Sequence, residues 1–403
     1  MKKIILIFAA LAALLCSCCA QRKAHSKTVE NAKTIEVKTV ATKTAAAPSD
    51  YVFGLFGRVA GQEDVFVSPL SLSLALAMTA TGAEGETYGQ MVSTLGLGGM
   101  DRRALYESFE KLTSTLESAD TSVTMETANS IWVHEGLPVK PAFEKGARKH
   151  FGAEIGNVDF NQPAAAQKIN SWCCEKTHGK ICQVVERTPG WKMALVNAVY
   201  FKAAWEEAFT RTEEGVFNGL GGKKSDVNYL LKKGFMEYAE DADFQMVELP
   251  YGERGRFVLD VILPKADFDK APAMNQVRFD TLAAALESRR VNFKMPEFKM
   301  ESTINLADIL AEMGMPKAFS PAAELGGISD VPLMIDNVLQ KTFIDLNKEG
   351  TEAAAVTVIS VRLTSVGPGY EQPYINFIAD RPFLFVIRER QSGAIMFLGQ
   401  KVK

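Results

Sequence analysis

The chain has 403 residues, with 45 Lys plus Arg against 48 Asp plus Glu and a formal net charge of −3. That length suffices for two or three average domains or one large one, and the absence of a basic surplus argues against a nucleic-acid binder. An apolar fraction of 47% suits an ordinary folded core.

At the N-terminus, Lys2 and Lys3 precede an apolar run over residues 4–15. This is the charged n-region and short h-region of a secretory signal peptide. The run is too short to cross a bilayer, which takes roughly 20 residues. Leu15-Cys16-Ser17-Cys18 follows, and this stretch resembles a bacterial lipobox. The resemblance implies a signal peptide over residues 1–17 and lipidation of Cys18. Cys19 is the fallback, Cys16 is disfavoured by the bulky Leu15 before it, and a plain signal peptide with incidental cysteines is the alternative. A lipidated Cys18 would tether the protein to a membrane without spanning it. The expected location is the bacterial envelope, on its periplasmic face or at the cell surface. Residues 18–48 are rich in Lys, Thr and Ala and read as a flexible tether. No later linker interrupts the remainder, so residues 49–403 read as one domain.

Ser68 and Pro69 open a helix over residues 70–81, because Ser68 can cap and proline suits the first helical position. That helix is apolar nearly all round and should be buried; Gly82 ends it. Cys174, His178 and Cys182 recur every four residues, with donor types that suit zinc. Gly179 breaks the helix they would need, and a fourth ligand is not evident, so no metal is expected. Cys173 adjoins Cys174, and a pairing with Cys182 is open but not fixed by spacing. Strand-like runs follow at 193–201, 244–250, 256–263, 291–298 and 333–346, then at 375–378, 382–388 and 394–402. Gly219-Leu220-Gly221-Gly222-Lys223-Lys224-Ser225 superficially suggests a phosphate loop, but its Gly-Lys-Ser order is broken and a hairpin turn fits better. A second helix is expected over 302–313, with Leu306, Ile309, Leu310 and Met313 on one face and Gly314 and Pro316 stopping it. Helices early and strands late indicate an α+β fold.

Catalytic signatures are missing: there is no G-x-S-x-G, no H-E-x-x-H and no nucleotide glycine fingerprint. No enzyme activity and no cofactor are expected. The unusual stretch is Gly350-Thr351-Glu352-Ala353-Ala354-Ala355-Val356-Thr357-Val358-Ile359-Ser360-Val361-Arg362-Leu363-Thr364-Ser365-Val366. Read by parity, Thr351, Ala353, Ala355, Thr357, Ile359, Val361 and Leu363 carry no charge, whereas the opposite set holds Glu352 and Arg362. That is the alternation of a half-buried strand. It stops at Gly367-Pro368-Gly369, where proline cannot join a central ladder.

The run Lys348-Glu349-Gly350-Thr351-Glu352-Ala353-Ala354-Ala355 resembles the hinge of the serpins. The resemblance extends over most of residues 50–403. It includes Val65-Phe66-Val67-Ser68-Pro69-Leu70-Ser71, and Asn197-Ala198-Val199-Tyr200-Phe201-Lys202 with Trp205 and Phe209. It continues through Ala239-Glu240-Asp241 before Val247-Glu248-Leu249-Pro250-Tyr251, and through Pro296-Glu297-Phe298-Lys299-Met300-Glu301. Ala379-Asp380-Arg381-Pro382-Phe383-Leu384-Phe385 and Gly393-Ala394-Ile395-Met396-Phe397-Leu398-Gly399 complete it.

What the resemblance implies is a serpin fold, with three β-sheets, about eight to nine helices and an exposed reactive-centre loop. It implies a monomeric suicide inhibitor of serine proteases, with cysteine proteases also admitted. A target protease would be trapped as a covalent acyl complex when the cleaved loop enters the central sheet. The hinge would be Gly350, Thr351, Glu352, Ala353, Ala354 and Ala355. Family spacing puts the bait bond between Thr364 and Ser365, with Arg362 and Leu363 as alternatives; Arg362 is otherwise a solvent-facing strand residue. A buried polar cluster under the sheet opening would comprise Ser68, Ser71, Asn197, Trp205 and Gln340. Gln340 stands where the family often has histidine, and Lys348 where an acidic residue is usual. A non-inhibitory serpin acting as a binding or storage module is the competing reading.

Overall fold

The computed structural model describes residues 51–266, 273–352 and 373–403. The expected leader, Cys18, Cys19 and the tether lie outside the described residues. So do Ala353, Ala354, Ala355, Arg362, Leu363, Thr364 and Ser365.

Eight α-helices occur among the described residues. They are α1 (Tyr51–Val59), α2 (Pro69–Ala80), α3 (Gly85–Thr94), α4 (Arg102–Ala119), α5 (Pro141–Phe151), α6 (Pro163–Lys176), α7 (Gln276–Ala284) and α8 (Ala307–Glu312). The strands are β1 (Val65–Val67), β2 (Thr124–His134), β3 (Glu154–Val158), β4 (Met193–Ala204), β5 (Arg211–Asn218), β6 (Lys224–Glu240), β7 (Phe244–Tyr251) and β8 (Phe257–Pro264). They continue with β9 (Glu287–Pro296), β10 (Phe298–Asn305), β11 (Asn337–Asn347), β12 (Gly350–Thr351), β13 (Ile375–Ile378), β14 (Phe383–Glu389) and β15 (Ile395–Lys401).

The first sheet runs β10, β11, β4, β2, β3, with the two-residue β12 wedged between β11 and β4 at one end. The second follows the path β1, β15, β14, β8, β7, β6, β9, β13, with β5 also on β6. The expected second and third sheets are joined through the long strand β6. Its residues 224–231 pair β5, 229–238 pair β9 and 237–240 pair β7. The α+β class holds.

Helix α2 packs between the two sheets, against β15 on one side and β2 and β4 on the other. Every residue of α2 is therefore buried, as its all-round apolarity requires. Ser68 Oγ accepts a hydrogen bond from Ser71 N, and Pro69 occupies the first turn.

The helix expected over 302–313 is corrected: Ser302 to Asn305 belong to β10, and only Ala307–Glu312 is helical. Period two prevails there. Phe298, Met300 and Ser302 are buried while Lys299 and Glu301 face out, and each residue has a register partner on β11. The expected strand over 333–346 begins only at Asn337. Residues 219–223 form the turn of a β5–β6 hairpin, through a short 3₁₀ turn Leu220–Gly222, and Lys224 and Ser225 already pair with Asn218 and Phe217. Cys174 and Cys182 form a disulfide, which removes both thiolates from the spacing that suggested zinc, and Cys173 is a buried free thiol. Burial pushes the Cys173 thiol up to about 12, against the opposing charge of Lys341. No described helix is long and apolar enough to cross a membrane.

Candidate functional site

Strands β4 and β11 are neighbours along only part of their length. They pair in parallel from Asn337 to Thr342 on β11 and from Ala194 to Val199 on β4. Beyond that point they part. Tyr200, Phe201 and Lys202 on one side face Phe343, Ile344 and Asp345 on the other with no register between them. At the open end β12 fills the space and pairs antiparallel with both strands: Thr351 opposite Leu346 and Ala203, Gly350 opposite Asn347 and Ala204. The sheet is thus closed at one end and already wedged open at the other.

The wedge is built by a tight turn out of β11. Asn347 Oδ1 accepts from Glu349 N at 2.9 Å and from Gly350 N at 3.3 Å, an Asx-type turn. Gly350 has φ +149°, and a Cβ there would lie 2.2 Å from the Ala203 carbonyl oxygen. Only glycine lets the backbone approach β4 this closely. Thr351 is fully buried, and its hydroxyl is 2.7 Å from the Tyr251 hydroxyl. Tyr251 stacks on Trp205 with ring centroids 4.3 Å apart. Trp205 in turn donates from Nε1 to Asn347 O at 2.9 Å, and from its backbone N to Glu349 O at 3.0 Å. Burial raises the Tyr251 phenol well above its ordinary range, with the Thr351 hydrogen bond acting the other way.

Glu352 marks where the chain leaves the ladder. Its backbone N still donates to Asp345 O at 2.9 Å, but its φ is +52°. That left-handed turn is uncommon for a residue with a side chain and stores local strain. The Lys348 departure from the family pattern is accommodated at the surface: Lys348 N donates to Glu297 Oε1 at 3.0 Å, and Lys348 Nζ lies 3.6 Å from Glu349.

The expected polar cluster separates into two places. Ser68, Ser71, Asn197 and Gln340 meet under the closed end of the β4–β11 seam. Gln340 Nε2 donates to Ser68 O and to Asn197 Oδ1, both at 2.9 Å, and its Oε1 accepts from Ser68 N at 2.9 Å. Asn197 Nδ2 donates to Ser71 Oγ and, at 2.7 Å, to Asn129 Oδ1. Ser68 Oγ donates to Met396 O at 2.7 Å. All five side chains are essentially dry, so this closed circuit matters: each unmet partner would carry a full desolvation penalty. Trp205 stands apart, at the parted end beneath Thr351. Sequence reasoning missed Asn129 and Tyr251. Asn129 sits mid-strand with nothing local to mark it, and only its register opposite Asn197 reveals it. Tyr251 closes a quoted motif, but its contact with Thr351 is a hundred residues away.

Comparison with known proteins gives one consistent answer. Residues 46–403 match the family described as Serpin (serine protease inhibitor). Iripin-3 of Ixodes ricinus is 34% identical over 353 residues, covering 84% of this chain and 88% of that protein. The leukocyte elastase inhibitor of Bos taurus is 33% identical over 356 residues, covering 84% and 92%. The crystal structure of a thermophilic serpin, tengpin, in the native state superposes with a TM-score of 0.79 at 28% identity, covering 90% of this chain and 94% of that one.

Proposed function

The chain belongs to the serpin family, many of whose members inhibit proteases, and on that footing we propose that it is a suicide-substrate inhibitor of serine proteases. The observation that carries this reading is the wedge: Gly350 and Thr351 already occupy the first two positions of a strand between β4 and β11.

The mechanism follows from the register. The protease serine attacks the Thr364 carbonyl, the bond to Ser365 breaks, and the Ser365 amine departs with a proton from the enzyme's base. An ester now joins the enzyme to residue 364. The freed segment continues β12. Carrying the observed register onward sets residue 354 between Tyr200 and Phe343, Thr357 between Asn197 and Gln340, and Ser360 between Ala194 and Asn337. The direct β4–β11 ladder must open, and two antiparallel ladders replace it. Each net hydrogen bond contributes about 1 kcal/mol, so insertion is downhill. Residues 351–364 at about 3.3 Å each carry the enzyme roughly 45 Å.

Parity supports the same path. The uncharged set that includes Thr351 enters on the side of Tyr251 and the dry polar cluster. Insertion at residue 357 breaks the Gln340–Asn197 hydrogen bond, and the Thr357 hydroxyl is the group that replaces it. Small side chains at Ala353, Ala354 and Ala355 let the leading end pass without overpacking.

The test is an SDS-resistant adduct with a serine protease, with mass spectrometry fixing the cleaved bond. Trypsin-like enzymes would use Arg362; chymotrypsin-, elastase- or subtilisin-like enzymes Leu363 or Thr364. If every enzyme of such a panel cleaves and departs, and the cleaved protein melts no higher than the intact one, the chain is a non-inhibitory serpin. We further propose that Cys18 is lipidated and holds the domain in a bacterial envelope on the tether of residues 18–48. Metabolic labelling with a fatty acid should mark the wild type and not Cys18→Ser; labelling that persists until Cys19 is also replaced moves the anchor by one residue.

A further inference from the structure

Outside the wedge, one feature lies directly on the insertion path. Cys174, in the last turn of α6, is joined to Cys182 and closes residues 174–182 into a loop. Internal bonds stiffen it. The Thr177 hydroxyl donates to Cys173 O at 2.7 Å and accepts from Ile181 N at 2.9 Å, and Gly179 N donates to Cys174 O at 2.8 Å.

Two side chains leave this loop toward opposite sides of the parted strands. His178 Nε2 is 2.8 Å from Glu126 of β2, and its ring meets Tyr200 of β4 edge-on at 5.2 Å. Lys180 Nζ is 5.8 Å from the Phe343 ring of β11 and 3.0 Å from Glu352 Oε1. Tyr200 and Phe343 are the two residues between which residue 354 must pass. The Glu352 side chain is only 4% exposed, and Lys180 pairs with it at the kink, where the Tyr200 hydroxyl also hydrogen-bonds Glu352 and Lys299 adds a more distant positive charge.

We propose that the disulfide-closed loop 174–182 is a latch on the insertion path: it holds Lys180 against Glu352 and His178 against β2 and β4, and so sets how readily the segment after Thr351 enters the sheet. This rests on the insertion mechanism proposed above. Entry requires Glu352 to leave its φ of +52° for an extended conformation, which draws its carboxylate off Lys180. Lys180 is a positioning residue, since it touches neither the bait bond nor the enzyme. Reduction by a dithiol releases the loop: two electrons and two protons pass to Cys174 and Cys182, which become thiols, and the dithiol closes to its own disulfide. Because Lys180 is partly exposed, the effect is modest, about fivefold in rate.

The experiment follows uncleaved protein held at mildly raised temperature and measures how fast it converts to a form of higher Tm, the sign of loop insertion. Lys180→Ala and dithiothreitol should each speed conversion about fivefold, and dithiothreitol should speed Lys180→Ala less than the wild type, since only the His178 contacts are then left to release. Lys180→Met, which keeps the stem over Phe343, should behave like Lys180→Ala. The exchange Lys180→Glu with Glu352→Lys should restore the slow rate. The Cys174→Ser, Cys182→Ser double variant should match the reduced wild type; if it fails to fold, Lys180→Ala still carries the test because its disulfide is intact. A Lys180→Ala protein converting at the wild-type rate, or one accelerated by dithiothreitol as much as the wild type, overturns the latch. If the wild type neither converts nor gains stability after loop cleavage, insertion itself fails; if it inserts at one rate in every variant, only the latch fails.

Discussion

Replacing Thr351 by arginine tests the wedge most directly. The seat is dry, and it is walled by Tyr251, which is stacked on Trp205. A guanidinium there loses the 2.7 Å contact between the Thr351 and Tyr251 hydroxyls, about 1 kcal/mol. It overpacks the site by about 1–3 kcal/mol, and it buries an unpaired charge at several kcal/mol more. A sum of at least about 4 kcal/mol slows seating of residue 351 roughly a thousandfold. The acyl-enzyme then has time to hydrolyse. Titration of a susceptible protease should show Thr351→Arg turning over as a substrate, with no SDS-stable adduct and no gain in Tm after cleavage. Thr351→Val keeps the shape and loses one hydrogen bond, so it should inhibit with a stoichiometry only modestly raised. A Thr351→Arg protein that traps protease at wild-type stoichiometry would refute the wedge as the start of insertion.

Gly350→Ala should expel β12, because its Cβ would meet the Ala203 carbonyl at 2.2 Å in a backbone region that side chains avoid; a shift in tryptophan fluorescence from freed Trp205 reports it. Gln340→Ala strands Ser68 N and Asn197 Oδ1 in a dry site, while Ser68 O keeps its bond from Leu72 N, lowering native stability by roughly 2–4 kcal/mol in a denaturant melt. Gln340→His should make stability fall as pH drops below about 6.5, because a histidine buried neutral has a folded pKa below its unfolded one and the unfolded chain takes up the proton first; the wild type should lack that limb. The Arg278 guanidinium holds Asp241 down to about 2. The stability this contributes is present above the ordinary carboxylate pKa and lost as pH falls toward 2. Asp241→Asn should flatten the acid limb of Tm against pH in that window.

The expected hinge is a pattern in the sequence because its constraints are local. Glycine followed by small residues, and the parity of charge after Thr351, are properties of neighbouring positions. Asn197, Gln340, Ser68 and Ser71 were found by resemblance, yet their hydrogen bonds join residues up to 328 positions apart, and no periodicity encodes them. The helix expected over 302–313 shows the reverse case. Its apolar spacing fitted a helix, but pairing with β11 drew Ser302 to Asn305 into β10, since ladder bonds and burial on a sheet face outweigh propensity.

By itself the sequence determined the α+β class and the buried α2, and it set the expectation of a hinge at Gly350 and of an insertable strand that stops before Pro368. These depend on side-chain size, charge and period along a few consecutive residues. Only the tertiary structure decided that β4 and β11 part after Val199 and Thr342, that Trp205 belongs with Tyr251 rather than with Gln340, and that Cys174 pairs with Cys182 in a loop whose Lys180 reaches Glu352. Each of these is a meeting of distant segments, set by sheet register and by which partner a dry polar group can reach.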